Sequence, residues 1–414
     1  MYTERVAMSM YVALVLALSH SAGAQETARI YMSLDGADTN RGTAEAPVAT
    51  LQKAIQLGER QPAPAEIVIR GGTYFLDAPV TIPRSKKDSR LVIRSADNET
   101  AVFDGSQRVD NVESLAGAPG VYAVKGDFPN DAPPAVWEEA TGRHFRKLAG
   151  LDSVRRVDYS AVVLDPQTMA IRCRDGMSPL DTDIRMVPRA LLHGIRVLRD
   201  NVTLRGIEFC NFISGGSSTA VRIGPNMAGI GRNRTGDFTM DTEIDNCRTR
   251  NCYFGFHVVG AARTRFTNDC MRNSVTGIWI SGVDTVVERC RMINDRAFRV
   301  PWAGTIDQSG IRFYNKPEDA VIRRNLIKGF RAGITSKGSP GTYVIENNTV
   351  IGTSLALQID RGFKVRHNIF FGFGRAFSQD YPMGEDAEVD DNVFWGGRNL
   401  AAAIKDPARG LWRP

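Results

Sequence analysis

Basic, aromatic and acidic side chains recur at fixed positions in a series of short apolar segments in the second half of the chain. In a β-strand such segments would point their apolar residues inward and the residue between them outward. The outward residues of successive segments are Arg222, His257, Trp279, Arg312, Thr335, Gln358 and Ser378. Two residues further along, the matching series is Ser281, Tyr314, Lys337, Asp360 and Asp380. An ordinary solvated strand surface is dominated by Thr, Ser, Asn and Lys, so this composition predicts a binding or catalytic surface.

Several of these side chains are suited to acting on a carboxylate-bearing ligand. Arg222 and Arg312 carry guanidinium groups, which bind carboxylates through two parallel hydrogen bonds. For Arg312, an ion pair with Asp307 is the alternative. Tyr314 and His257 are candidate proton donors, and His257 could instead be a structural histidine.

A pair of aspartates would support a different reaction. Asp360 and Asp380 fall on adjacent repeats, with backbones about 5 Å apart, near the separation of a retaining glycosidase pair. As residues at strand ends, they also suit turns. Asp307 lies in an unusually long loop and could act with either. Trp302, in the same loop, and Trp279 are candidate sugar-stacking residues, with burial under an inserted segment as the alternative for Trp279.

A repeated polar residue indicates the architecture that positions these groups. Asn325, Asn348, Asn368 and Asn392 recur every 20 to 24 residues, each three residues after a branched apolar residue. Upstream, the same place is occupied by Cys290, Asp269 and Cys247. A period of this length is typical of stacked repeats, and one polar residue per repeat predicts a hydrogen-bonded ladder. The prediction is an all-β, right-handed parallel β-helix, a single-stranded solenoid.

The chain divides into five parts. They are a signal peptide (1–24), an N-terminal cap with the first coils (25–114), an insertion on the solenoid (115–200), regular coils (201–398) and a C-terminal cap (399–414). The segment from Thr50 to Leu57 is amphipathic and predicts a helix that covers the first rung. Arg5, the apolar run from Val6 to Leu18 and a small-residue site ending at Ala24 predict cleavage and export to the periplasm or beyond. An N-terminal membrane anchor is the alternative, and no later segment suits a membrane span.

Charge points to the class of partner. The formal net charge is +6. Residues 140–200 contain eleven Lys and Arg against seven Asp, a surplus of four positive charges. With no nucleic-acid-binding motif, an exported basic protein suggests an acidic polymer as ligand, and a solvated basic surface is the alternative. We expect a monomer. The six cysteines fit no zinc or redox spacing; most should be buried thiols, although Cys247 and Cys270 lie close enough to bridge.

Motifs near the N terminus resemble a known superfamily. They are Asp35–Asp38 with Gly42–Thr43, Thr50–Ile55, and Arg70–Tyr74. The pattern resembles that shared by many exported pectate-lyase-like β-helix proteins, and the resemblance covers nearly the whole mature chain at the level of fold. It implies a carbohydrate-active protein without choosing among lyases, glycoside hydrolases and epimerases.

A narrower likeness lies in the strand Ile334–Lys337. It is similar to the strand that carries the lysine base in the chondroitinase B and alginate lyase family (polysaccharide lyase family 6), which implies that Lys337 is the base. That family's acidic calcium ligands would fall where this chain has Phe330 and Ala332, so calcium binding stays open. Its catalytic arginine would fall near Gln358, with Arg361 three residues further on.

The leading hypothesis is β-elimination on a uronate-containing polysaccharide. Arg312, with Arg222, would bind the carboxylate, and Lys337 would remove the C5 proton. Tyr314 or His257 would protonate the leaving oxygen. Two other classes stay open: a glycoside hydrolase using the aspartate pair, and a non-catalytic polysaccharide-binding protein.

Overall fold

Successive short strands, each followed by a sharp corner, make up most of the molecule. The computed structural model describes residues 27–61, 64–85, 88–128, 134–188, 190–214, 218–225, 238–295, 308–314, 318–337, 342–358, 362–377 and 388–398, with the Lys337 side chain excepted. The predicted signal peptide and C-terminal cap lie outside these residues.

The elements fall into three groups along the chain. The N-terminal coils contain β1 (Ala28–Met32), α1 (Leu51–Arg60), β2 (Ala65–Ile69), β3 (Gly72–Phe75), β4 (Val80–Ile82), β5 (Leu91–Ser95) and β6 (Ala101–Asp104). The inserted region contains β7 (Gln107–Arg108), β8 (Val112–Ser114), β9 (Tyr122–Lys125), β10 (Val136–Glu138), β11 (Arg143–His144), β12 (Arg146–Lys147), α2 (Leu151–Val154), β13 (Ser160–Asp165), β14 (Thr168–Arg172), a 3-10 turn (Arg174–Gly176) and β15 (Ile184–Met186). The later coils contain β16 (His193–Val197), β17 (Val202–Arg205), β18 (Ile207–Cys210), β19 (Thr219–Ile223), β20 (Thr239–Met240), β21 (Glu243–Asp245), β22 (Arg248–Ala262), β23 (Arg265–Thr267), β24 (Cys270–Val283), β25 (Val286–Glu288), β26 (Arg291–Ile293), β27 (Ser309–Tyr314), β28 (Ala320–Arg323), β29 (Leu326–Lys328), β30 (Ala332–Lys337), β31 (Tyr343–Glu346), β32 (Thr349–Ile351), β33 (Leu355–Gln358), β34 (Phe363–Arg366), β35 (Ile369–Phe371), β36 (Arg375–Phe377), β37 (Glu388–Asp390) and β38 (Val393–Trp395).

The coils stack into three parallel faces. Sheet 1 runs β1-β2-β5-β17-β21-β23-β25-β28-β31-β34-β37. Sheet 2 contains β3, β6, β18, β26, β29, β32, β35 and β38, and sheet 3 contains β4, β16, β19, β27, β30, β33 and β36. The long strands β22 and β24 bend around the corner and contribute one half to each of these two sheets. This topology confirms the predicted parallel β-helix.

Inward rows of apolar side chains hold the coils together. In sheet 1, one row is Ile67, Ile93, Leu204, Ile244, Phe266, Val287, Ile322, Ile345, Val365 and Val389. All are buried. Full burial of such a side chain stabilises the fold by about 1.5–3 kcal/mol, so the period-two alternation both builds the core and pins the register.

The predicted capping helix is present as α1. Its first turn is capped by Thr50, whose side chain accepts a hydrogen bond from the Lys53 amide at 3.2 Å. The buried stripe of the helix, including Leu51, Ala54 and Ile55, contacts the first strands and covers the open end of the core.

The predicted polar ladder is also present, on the corner between sheets 1 and 2. The Asn325 amide donates to Asn348 Oδ1 at 2.9 Å, Asn348 to Asn368 at 3.0 Å, and Asn368 to Asn392 at 2.9 Å. Each ladder residue follows one with a positive φ, such as Asn347 at 56° or His367 at 55°. A single left-handed residue turns the chain sharply, and the ladder amide then satisfies the backbone groups that the turn exposes.

The inserted region forms two small sheets: β11-β10-β15-β7 is antiparallel, and β12-β13-β14-β9-β8 is antiparallel except for the parallel pair β12–β13. Strands β7 and β8 precede residue 115, so this region begins earlier than predicted. The solenoid resumes earlier than predicted. Strand β16, assigned by sequence to the 115–200 insertion, pairs in parallel with β4 and β19 and belongs to sheet 3. The basic residues that precede β16 hid its alternation of Ile195 and Val197, which point into the core.

All six cysteines are free thiols, and only Cys270 is partly exposed, so the Cys247–Cys270 bridge does not form. Cys247 and Cys290 occupy the ladder as predicted, and Asp269 lies between them. Within the residues that the structure describes, no helix has the length and apolar character needed to cross a membrane.

Candidate functional site

The outward residues of sheet 3 form a continuous column. The register pairs Arg196 with Arg222, Arg222 with His257, His257 with Trp279, Trp279 with Arg312, Arg312 with Thr335 and Thr335 with Gln358. The predicted column is therefore confirmed from Arg222 to Gln358, and Arg196 extends it by one coil. We call these seven residues the sheet 3 column.

Around Arg312 the column is aromatic and cationic. The Arg312 guanidinium carbon lies 4.7 Å from the Trp279 ring centroid and 5.6 Å from that of Tyr314. The two rings meet edge to face, with centroids 5.0 Å apart. Arg312 is only 4% exposed. Cation–π contact of this kind holds a guanidinium in place away from water.

Lys337 is aligned with Tyr314 on the neighbouring coil, as the predicted second column requires. Its side chain lies outside the described residues. Ser281, which belongs to the same series, accepts a hydrogen bond from the Trp279 indole at 3.2 Å. The alignment therefore brings the backbone of Lys337 to the rung beside Tyr314 and Arg312.

A second cationic group occupies the N-terminal end of the column. It consists of His193, Arg196, Arg222 and His257. Arg222 Nη1 lies 3.4 Å from His193 Nε2. Burial, with help from Arg222 and Arg196, lowers the pKa of His193 to about 4. Burial, Arg222 and His193 together lower the pKa of His257 well below its usual value, so both rings are neutral at pH 7.

The polar atoms of this group are incompletely satisfied. Both ring nitrogens of His257 and Nε of Arg222 are buried and have no hydrogen-bond partner among the described residues. Burial and the Arg196 charge lower the pKa of Arg222, as expected where like charges are held together. Buried polar groups of this kind normally have partners.

The insertion covers one side of the column. Trp137 of β10 packs with Phe254 and Val275 of the solenoid, and Trp279 lies against this cluster. The Phe254 ring centroid is 4.7 Å from that of Trp279 and 5.3 Å from that of His257. Of the two interpretations of Trp279, cover by the insertion is the one that matches these contacts, so the ring serves mainly as a wall behind Arg312.

The other predicted site residues lie apart from this geometry. Gln358 is at the C-terminal end of the column and partly buried. Trp302, Asp307, Asp360, Arg361 and Asp380 lie outside the described residues.

The side chains at the positions where the resemblance would place acidic calcium ligands do not suit calcium. Phe330 and Ala332 stand there, 2% and 7% exposed, and neither offers an oxygen ligand from its side chain. Nor does any group of three His, Cys, Asp or Glu side chains in the described ranges lie where it could hold a metal ion.

Two functional candidates, His193 and Arg196, were missed by sequence reasoning. Both lie in β16, beyond the insertion, where the predicted boundary excluded them. The signal was available: Arg196 stands between Ile195 and Val197, two apolar residues, as Arg222, His257, Trp279 and Arg312 also stand between apolar residues.

Comparisons with known proteins agree with the architecture. Residues 192–394 match the family model described as a right handed beta helix region. A segment of 81 residues is 35% identical to pectate lyase PEL9 of Emericella nidulans, and it spans 19% of this chain and 19% of that protein. The solved structure of XylC with xylose is similar with a TM-score of 0.56 and 12% identity, over 88% of this chain and 69% of that one. Pectate lyase Pel9A gives a TM-score of 0.47 at 11% identity, over 93% and 83%. The matched family model is of a right-handed β-helix, in agreement with the parallel strand pairing of the coils.

Proposed function

We propose that this right-handed parallel β-helix binds an acidic polysaccharide along the sheet 3 column and cleaves it by β-elimination. The observation that carries the proposal is the composition of the column, which contains three arginines and a histidine and no carboxylate. His193 lies beside it, next to Arg222. Arginines stand at the first, second and fifth positions of a column whose coils are about 4.8 Å apart, and such a row of cations suits a polymer with a repeating negative charge. The local likeness to a pectate lyase supports the same class.

Carboxylate binding is assigned to the arginines. As the C5 proton leaves, negative charge moves onto the C6 carboxylate, and a fixed cation must offset it. Arg312 is already desolvated against Trp279, so its charge acts strongly on a ligand that reaches it. Arg222 and Arg196, which are partly exposed, would bind carboxylates of neighbouring sugar units.

Proton removal is assigned to Lys337. Its rung neighbours Tyr314, and Arg312 lies in the adjacent column. A lysine acts as a base only as the free amine. We expect activity to rise toward alkaline pH as the amine deprotonates.

Tyr314 is the better proton donor of the two candidates. It is partly exposed beside Arg312. His257 is 7% exposed, and its depressed pKa keeps the imidazole neutral at pH 7. A group that is already deprotonated at working pH is poorly suited to act as a general acid. His257 would instead accept or donate hydrogen bonds at the back of the anion site.

A product assay on a panel of acidic and neutral polysaccharides tests the proposal. β-Elimination leaves a C=C bond that absorbs in the ultraviolet, so acidic chains should yield new absorbance together with new reducing ends. Lys337→Ala should lower the rate at least about 100-fold, the usual contribution of a general base. Lys364→Ala is the matched control, because Lys364 lies on sheet 1 and pairs with Glu388.

Other outcomes would favour the remaining classes. Reducing ends without absorbance, lost in Asp360→Asn and kept in Lys337→Ala, would overturn elimination in favour of hydrolysis. Binding of acidic chains without any product would identify a non-catalytic binder.

A further inference from the structure

We infer a second carbohydrate site, specific for neutral sugars, in a cleft between the insertion and the solenoid. The cleft encloses about 350 Å³, at the lower end of the range for small-molecule sites. The insertion contributes Trp137, Glu139 and His144, and the solenoid contributes Asn251, Asn273 and Asp295. The inference rests on the proposed function only in taking the ligand to be a saccharide.

The solenoid wall of the cleft is a second polar column, on the corner between sheets 2 and 3. Asn251 and Asn273 both have φ of 54° and turn the chain there. Asn251 donates to Asn211 Oδ1 at 3.2 Å, and Asn273 donates to Asp295 Oδ2 at 3.3 Å. Unlike the buried asparagines of the first ladder, Asn251 and Asn273 line an open cleft. Side-chain amides, which donate and accept, together with carboxylates, which accept, are the groups that hydroxyl-rich ligands require.

The facing wall carries further acceptors. Glu139 accepts from the Trp137 indole at 2.7 Å, which fixes its carboxylate at the cleft and leaves acceptor capacity on it. The His144 ring lies 5.8 Å from that of Trp137, and its Nδ1 is buried without a partner among the described residues. Burial lowers the pKa of His144 to about 4, so at pH 7 the ring is neutral.

Charge selects a neutral ligand. The two arginines beside the cleft are engaged: Arg250 pairs with Glu208 at 2.8 Å, and Arg272 lies 3.4 Å from Asp295. The Glu139 carboxylate would repel a uronate carboxylate, whereas the arginines of the sheet 3 column attract one. Trp137, which lines the cleft, belongs with Phe254 to the apolar cluster against which Trp279 of the column packs. The preferred polymer is therefore an acidic chain that also contains neutral sugars, as branches or as alternating units.

Titration calorimetry on the full chain tests the site directly. The probes are neutral disaccharides, containing galactose, xylose, arabinose or rhamnose, and their uronic acid counterparts. We expect at least one neutral probe to bind and its acidic counterpart to bind at least about tenfold more weakly. Asn251→Gly and Asn273→Gly remove the amides while tolerating the left-handed turn, and each should weaken binding about tenfold. Asn268→Gly, at φ 60° on the opposite corner, is the control.

Further outcomes separate this inference from the proposed function. Arg312→Gln should abolish cleavage and leave neutral-sugar binding intact. Asn273→Gly should weaken neutral-sugar binding and leave cleavage of a linear acidic chain intact. In the double variant Glu139→Gln with Asp295→Asn, the affinities for the neutral probe and its acidic counterpart should differ less than in the wild type. Failure of every neutral probe to bind at tens of millimolar, or equal binding by Asn273→Gly and wild type, would overturn the second site whatever the column does.

Discussion

At single buried residues, stability depends on whether each polar atom has a hydrogen-bond partner. Asp269 is fully buried in the first ladder, where its carboxylate accepts from the Cys247 amide at 2.7 Å. Burial raises its pKa well above the usual value, so the side chain is held in its protonated form or ionises at a cost. Asparagine in the same position elsewhere carries no charge and also donates to a backbone carbonyl, as Asn325 does to Val287 at 2.9 Å.

Replacing Asp269 by Asn should stabilise the protein. The amide would keep the acceptor for Cys247 and add a donor toward the previous coil, for a gain of about 1 kcal/mol at pH 7. A carboxyl whose pKa is raised by folding does not destabilise the folded state below pH about 4, but it does so increasingly as pH rises. The stabilisation gained from Asp269→Asn should therefore be smaller at pH 4 than at pH 7. Thermal unfolding at the two pH values measures it. A stabilisation that is equal at both pH values would contradict a raised pKa for Asp269, and Asn325→Asp should destabilise the protein at pH 7.

His193 should make the fold acid-sensitive. Its folded pKa of about 4 lies below the value near 6.5 expected in the unfolded chain. Its contribution to stability is therefore complete above pH about 6.5 and is lost as pH falls toward 4. His193→Gln should reduce the loss of stability between pH 7 and pH 4.5 by about 1–2 kcal/mol, less than the full shift because the ring is partly exposed. Denaturant unfolding measures it, with exposed His367→Gln as control; identical pH profiles for His193→Gln and wild type would contradict it.

At the scale of the strand, the sheet 3 column depends on close approach between coils. A glycine stands two residues before the column residue in four successive coils: Gly255, Gly277, Gly310 and Gly333. A Cβ on Gly333 would lie 2.4 Å from the Ala356 carbonyl oxygen and 2.6 Å from Val350 Cγ1. There is no room for a methyl group, so these glycines set the path of the strands that carry Arg312 and Lys337.

Gly333→Ala should destabilise the fold by about 1–3 kcal/mol and lower activity through displacement of β30. Gly150→Ala is the matched control, because a Cβ there meets nothing within 4 Å and its φ is extended. Calorimetric unfolding and the product assay are the measurements. Loss of stability with unchanged activity would show that β30 does not hold the reacting groups.

For the whole molecule, the distribution of charge matters more than its sum. Sheet 1 neutralises its own outward charges, as in the pairs Arg205–Asp245, Arg323–Glu288 and Arg366–Glu346. The sheet 3 column, by contrast, has no carboxylate among its own members. Sheets 1 and 3 therefore differ in the outward charges that their residues carry.

Binding of an acidic polymer should weaken with salt. Raising ionic strength from about 0.05 M to about 0.5 M shortens the screening length severalfold, and we expect KM for an acidic chain to rise about tenfold. Binding of a neutral disaccharide in the cleft should change less than twofold, which provides an internal control. A salt-independent KM would contradict recognition of the polymer by the arginines.

Much of the architecture could be predicted from local pattern. The spacing of the ladder asparagines gave the length of each coil. Period-two alternation then placed Arg222, His257, Trp279 and Arg312 in one column with the correct register. Both signals are local because a parallel coil repeats the same short segment against itself. The insertion interrupts this spacing, and for that reason β16, with His193 and Arg196, was not assigned to the solenoid.

The sequence by itself determined the solenoid, the capping helix, the polar ladder and the order of the column, since each follows from the spacing of residues within a coil. Only the tertiary structure decided that Trp137 and Phe254 cover Trp279, that His257 is too buried to be charged, and that a polar cleft opens beside Glu139 and Asn273. These properties depend on burial, and burial is set jointly by segments far apart in sequence, so spacing within a coil carries no information about it.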